Sequence, residues 1–124
     1  MAITRTLDEE RDLTIFAVEG ELTFVEQMAA LRKFYEGTPT CNVIWDFRQL
    51  EGYRISSDEL REIISFVKDR GKDRLGGKTA LVSSTDLDFG LSRMSQAYAD
   101  HEELPWRIES FRSMAEAFTW IDEA

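Results

Sequence analysis

A chain of 124 residues is long enough to bury one continuous core and too short for two. Apolar residues make up 43% of it and charged residues 31%, with only two prolines, a balance that excludes a disordered chain. Its 24 acids against 15 Lys and Arg give a net charge of −9, which repels a polyanion at long range and excludes nucleic acid from the expected partners.

Ile3–Leu7 alternates apolar and polar residues, the polar cluster Asp8–Asp12 follows, and Leu13–Val18 is rich in β-formers, so the two runs read as a hairpin. Gly20 is expected to break the second strand. From Thr23 a helical pattern places Phe24, Met28, Leu31 and Tyr35 on one face, and Gly37 and Pro39 stop it. Val43–Phe47 reads as a third strand, opened by Cys41 as a small buried thiol, and a loop carrying Gly52 and Tyr53 is expected after it. The clearest helix runs from Ser56 to Arg70, with Leu60, Ile63, Ile64 and Val67 at helical spacing and Gly71 at its end. Lys78–Val82 is a short fourth strand. Leu87, Leu91, Met94 and Tyr98 mark a third helix, Trp106–Phe111 alternates as a fifth strand, and Met114, Ala117, Phe118 and Ile121 mark a last helix.

Each helix opens on a hydroxyl followed three residues later by an acid: Thr23 with Glu26, Ser56 with Glu59, Thr85 with Asp88, Ser113 with Glu116. The hydroxyl accepts from orphan amides and the acid meets the positive end of the helix dipole. A hairpin followed by helix and strand in alternation predicts one α/β domain over residues 1–124, of order β-β-α-β-α-β-α-β-α. The expected fold is a mixed, mostly parallel five-stranded sheet with four helices. If neighbours in sequence are neighbours in the sheet, the crossovers put most helices on one face.

The amino terminus has no apolar stretch of signal-peptide length, and nowhere do eighteen apolar residues run together, so a cytoplasmic location without a membrane span is expected. The lone His101 has no nucleophile motif near it and reads as an exposed helix-end residue. One His and one Cys leave no metal-ligand spacing. Gly76-Gly77-Lys78-Thr79 has the look of a phosphate loop, but a strand follows where a helix is needed, so it reads as a turn. No catalytic, cofactor or metal residues are expected. Lys68, Arg70, Lys72, Arg74 and Lys78 read as a solvated helix end. Trp45 and Trp120 read as core, and Trp106 as the tryptophan with most exposure.

The chain also resembles the SpoIIAA-like family, small bacterial domains related in fold to STAS and Sec14-type domains. The resemblance covers nearly the whole chain. It is carried by Val43-Ile44-Trp45-Asp46, Lys78-Thr79-Ala80-Leu81-Val82, Phe89-Gly90-Leu91-Ser92-Arg93-Met94 and the closing run from Arg107 to Ile121. It implies a non-catalytic module that binds a protein partner. The Sec14-type relationship implies an alternative, a carrier of a small apolar or lipid-like ligand, with Phe16, Phe24, Phe66, Phe89 and Tyr98 as aromatic side chains to serve it. STAS domains of the anti-sigma antagonist type carry a phosphorylatable serine where the second helix begins, which implies Ser56 or Ser57 here; Asp58 and Glu59 stand where that pattern has small residues.

In parallel α/β sheets ligands gather beyond the carboxyl ends of the strands, where helix N-termini also point. Asp46, Arg48, Ser83, Ser84 and Thr85 fall there, with Arg93 as a further counter-charge, and together with Ser56 and Ser57 they form the expected ligand or partner site. The expected partner is a protein or a small ligand, and a homodimer is one form such a partnership can take.

Overall fold

A computed structural model of the chain describes residues 2–123, apart from the side chains of residues 2, 87–89, 91, 92, 98 and 99. β1 (Ala2–Asp8) and β2 (Leu13–Thr23) form the expected antiparallel hairpin, with Asp8 opposite Leu13. Asp12 closes it at φ 50, in the left-handed region that an Asx residue tolerates. Gly20 does not break β2. It sits at φ 78 beside a register shift, so the glycine serves as a bulge and the strand runs on for three residues.

After α1 (Phe24–Glu36), β3 runs from Asn42 to Arg54 and replaces the loop expected at Gly52 and Tyr53. Its second half pairs with the extension of β2, Gly20 opposite Leu50 and Thr23 opposite Arg54, as a two-stranded ribbon beyond the sheet. Then come α2 (Ser57–Arg70), a 3₁₀ turn over Gly71–Arg74, β4 (Lys78–Val82), α3 (Asp86–Glu102), β5 (Arg107–Phe111) and α4 (Met114–Asp122). The sheet order is β1-β2-β3-β4-β5, and β2 to β5 are parallel, as the alternation of elements predicts.

Three helices are crossovers between neighbouring parallel strands, and they share one face. Met28, Leu31 and Phe34 of α1 and Ile63 and Val67 of α2 pack there on Phe16, Trp45 and Leu81, while α3 lies against α2 and β5. The last helix is no crossover. α4 turns back under the other face, where Ala117, Trp120 and Ile121 cover Leu13, Ile44, Ala80 and Val82. Both faces of the central strands are therefore buried, which is why all five residues of β4 are out of water and its last three, Ala80, Leu81 and Val82, are apolar.

The expected caps form at three helix starts. Thr23 and Ser56 make reciprocal capping boxes with Glu26 and Glu59, and the Ser113 hydroxyl accepts from the Glu116 amide at 3.2 Å. Thr85 directly precedes α3, but the side chain of Asp88 lies outside the described residues. Ser56→Ala removes the acceptor of the Glu59 amide at 3.1 Å. Thermal denaturation should show a loss of about 1 kcal/mol, or roughly 4 °C in Tm.

Two cations expected in a solvated run are buried. Lys78 Nζ donates to the carbonyls of Trp120 at 2.6 Å and Glu123 at 2.7 Å, capping the C-terminus of α4 with a positive charge. That commitment also removes it from any phosphate-loop role. Arg74 is only 2% exposed, and its guanidinium stacks 4.4 Å over the ring of Trp106, which at 5% is buried rather than the most exposed tryptophan. Cys41 is half-buried and precedes β3.

Candidate functional site

Alternation along β3 sends Trp45 and Phe47 to the three-helix face and Ile44 and Asp46 to the α4 face. Asp46, 8% exposed, is level with Val82, the last residue of β4, so its carboxylate lies at the carboxyl end of the sheet. It grips Arg48 three times. Nε and Nη2 of Arg48 donate to Oδ1 and Oδ2 at 2.9 Å each, and the Arg48 amide donates to Oδ1 at 3.1 Å. The guanidinium is thus held in one pose while 46% of the Arg48 side chain remains exposed.

Burial pushes the Asp46 carboxyl up, but the hydrogen bonds and charge of Arg48 outweigh it and hold the group below the usual aspartate range. A carboxyl lowered by folding contributes stability above its unfolded pKa, about 3.9, and that contribution is lost as pH falls through the folded value. Asp46→Asn should therefore reduce stability by about 1–2 kcal/mol at pH 7 and by less at pH 3, read from urea unfolding at both pH values.

Ser84 belongs to the same cluster, its hydroxyl donating to the Arg48 carbonyl at 3.3 Å, and Thr85 beside it is exposed. Ser83 is fully buried, and its amide donates to the Phe111 carbonyl at 3.1 Å, so it supports the surface from below. Arg93 is exposed on α3. Across the neighbouring gap, Arg112 after β5 pairs with Asp86 at the start of α3.

The other two expected residues lie elsewhere. Ser56 and Ser57 follow the ribbon, and eight residues of extended chain from Asp46 to Arg54 span roughly 25 Å. The expected site is therefore two places. One is Asp46, Arg48, Ser84 and Thr85 at the strand ends; the other is the start of α2. Ser56 is committed to its cap, whereas Ser57 is exposed in the first turn and takes no part in it.

A third feature lies inside the core. Between the sheet and the three-helix face lies an apolar cavity of about 80 Å³, walled by Phe16, Phe34, Trp45, Ile63, Val67 and Leu81. It extends from Arg74 and Thr79, at the amino ends of the strands, to Leu50 and Tyr53 on the ribbon. The Tyr53 hydroxyl, bonded to Ser95, is pushed up to about 12 by burial and stays neutral. Of the aromatic side chains that the Sec14-type relationship offers to a ligand, Phe16 lines this space and Phe24 and Phe66 pack around the core. Phe89 and Tyr98 lie outside the described residues.

Arg74 is the charged group of the cavity. Its Nε donates to the Cys41 carbonyl at 3.1 Å, Nη2 to the Lys78 carbonyl at 3.2 Å and to Thr79 Oγ1 at 2.6 Å, and Nη1 to the Tyr35 hydroxyl at 3.3 Å. All four acceptors are neutral, and burial pulls the guanidinium below the usual arginine value. Nothing local in the sequence marks Arg74 for this place, because it stands in a run of alternating charges. Among the described residues no three His, Cys, Asp or Glu side chains gather as metal ligands, and no helix is long and apolar enough to cross a membrane.

No family model and no curated protein matches the chain. Solved structures do. An uncharacterised protein of the DUF3478 family from Shewanella loihica PV-4, described as having a SpoIIAA-like fold, matches with a TM-score of 0.60 at 18% identity, over 97% of this chain and 92% of that one. The anti-sigma factor antagonist SpoIIAA in its unphosphorylated form matches with a TM-score of 0.63 at 14% identity, over 99% of this chain and the whole of that one. The chain has the SpoIIAA-like fold, as its sequence resemblance implies.

Proposed function

We propose that the chain is a non-catalytic, cytoplasmic regulatory module that binds a protein partner at the carboxyl ends of its strands. The observation that supports it most is the Asp46–Arg48 pair: a half-exposed guanidinium already fixed in position surrenders little side-chain freedom on docking and suits an acidic group on the partner. One neighbour in fold is an anti-sigma factor antagonist, which fits a regulatory task. Ser57 is the residue proposed to carry a regulatory phosphate, because its hydroxyl is exposed at a helix N-terminus and free of capping duty.

Tagged chain isolated from its own cells, cross-linked and analysed by mass spectrometry, should retain one protein in stoichiometric amount, and Arg48→Glu should weaken its capture at least tenfold while circular dichroism is unchanged. Equal capture by both forms would refute docking at this pair. Phosphopeptide mapping of the same material should place any phosphate of the Ser56-Ser57 dipeptide on Ser57.

A second reading is favoured by the cavity: the chain as carrier of a small, largely apolar ligand. Apolar space beside a few polar groups is the general form of a small-molecule site. The two readings use different parts of the molecule and can hold together.

A further inference from the structure

The cavity holds more unmet polar chemistry than a packing defect would. Gln27, 7% exposed, lines it with a buried Oε1 that finds no hydrogen-bond partner among the described residues. Trp106 lines it with a buried indole N–H in the same condition. Arg74 has five N–H groups, four of them already donated in hydrogen bonds, which leaves one on Nη1 without an acceptor among the described residues. Tyr35 accepts from Arg74, so its own O–H proton is still to be placed.

A buried arginine ordinarily has a carboxylate for company. Here none of the described acids lies within ion-pair distance of Arg74, and Asp12 acts on it only through space. An unneutralised cation, with uncommitted N–H and O–H donors on Trp106 and Tyr35 lining the same cavity, matches an anion that has two acceptor oxygens. The rest of the wall is hydrocarbon and aromatic ring, which matches a ligand with an apolar tail.

We infer that the cavity binds a small amphipathic carboxylic acid, its carboxylate against Arg74 and its tail along Phe16, Trp45 and Val67 toward Tyr53. This rests on the carrier reading and names the class of ligand. Size narrows the tail. An apolar cavity of about 150 Å³ admits the six carbons of benzene, and this one is about half that, so the tail is held to about three carbons and an unbranched chain fits better than a ring.

The test uses the straight-chain acids from acetate to hexanoate, each beside the alcohol of equal chain length, titrated into the native protein and followed by calorimetry and by the Trp106 indole N–H resonance. Butyrate should bind at least tenfold more tightly than 1-butanol and move that resonance. Arg74→Gln should lose the preference for acid over alcohol. If that variant does not fold, Val67→Phe, which fills the cavity with an apolar side chain, should abolish butyrate binding in a protein of native circular dichroism. Equal binding of acid and alcohol by the native chain would overturn the acid assignment and leave the carrier reading standing. No binding by any acid or alcohol of the series would overturn both, and native-like butyrate binding by Val67→Phe would overturn the location.

Discussion

Gly77→Ala should destabilise the chain by about 3 kcal/mol, lowering Tm by roughly 10 °C. A Cβ at this position would lie 2.0 Å from the Cys41 carbonyl oxygen and 2.9 Å from its carbon, a clash with backbone that no rotamer change relieves. Gly77 cannot easily retreat. Its amide donates to the Arg74 carbonyl at 2.9 Å, and its carbonyl accepts from the Arg107 amide at 3.1 Å. The Cys41 oxygen is also the acceptor of Arg74 Nε, so displacing it leaves a buried guanidinium N–H unmet as well. Differential scanning calorimetry of the variant measures the effect, and a Tm within 2 °C of the native value would contradict this account of the Cys41–Arg74–Gly77 corner.

Phe16→Ala should cost about 3–5 kcal/mol in urea unfolding, the range for removing a buried aromatic ring. Phe16 is fully buried on β2, stacked on Trp45 with centroids 4.4 Å apart and set edge-on to Phe34 at 5.6 Å. It joins the sheet to α1. Its loss enlarges the existing cavity instead of letting the walls collapse, which keeps the penalty toward the upper part of that range. The transition midpoint should fall with an unchanged slope, because the surface exposed on unfolding changes little. Phe16→Leu, which keeps much of the volume, should retain at least half of the lost stability.

Chemistry confined to a few neighbouring residues was legible in the one-dimensional pattern. The hairpin, the four helices, the parallel order of the strands and the caps at Thr23, Ser56 and Ser113 depend on periods of two and 3.6 and on a hydroxyl reaching an amide three residues on. The nearness of Asp46 to Arg48 was legible for the same reason, since two residues on one side of a strand stay in reach. The ribbon was not. Gln49, Glu51 and Arg54 are exposed polar residues on a two-stranded extension, which carries little apolar alternation to betray a strand, and Gly20 and Gly52 resemble breakers until their pairing partners are seen.

The placement of α4 beneath the sheet, the burial of Arg74 and Lys78 and the cavity beside Trp106 were settled only by the three-dimensional arrangement. A crossover helix has its face dictated by the handedness of the connection, but a terminal helix has no second strand to reach and goes where apolar surface remains uncovered. A lysine or arginine in a charged run carries no local mark of burial, because what takes it out of water is a set of carbonyls contributed by residues as distant as Cys41, Trp120 and Glu123. Empty space is of the same kind. It belongs to no residue, and it exists here because helices and strands far apart in the chain meet without filling the room between Phe16, Val67 and Arg74.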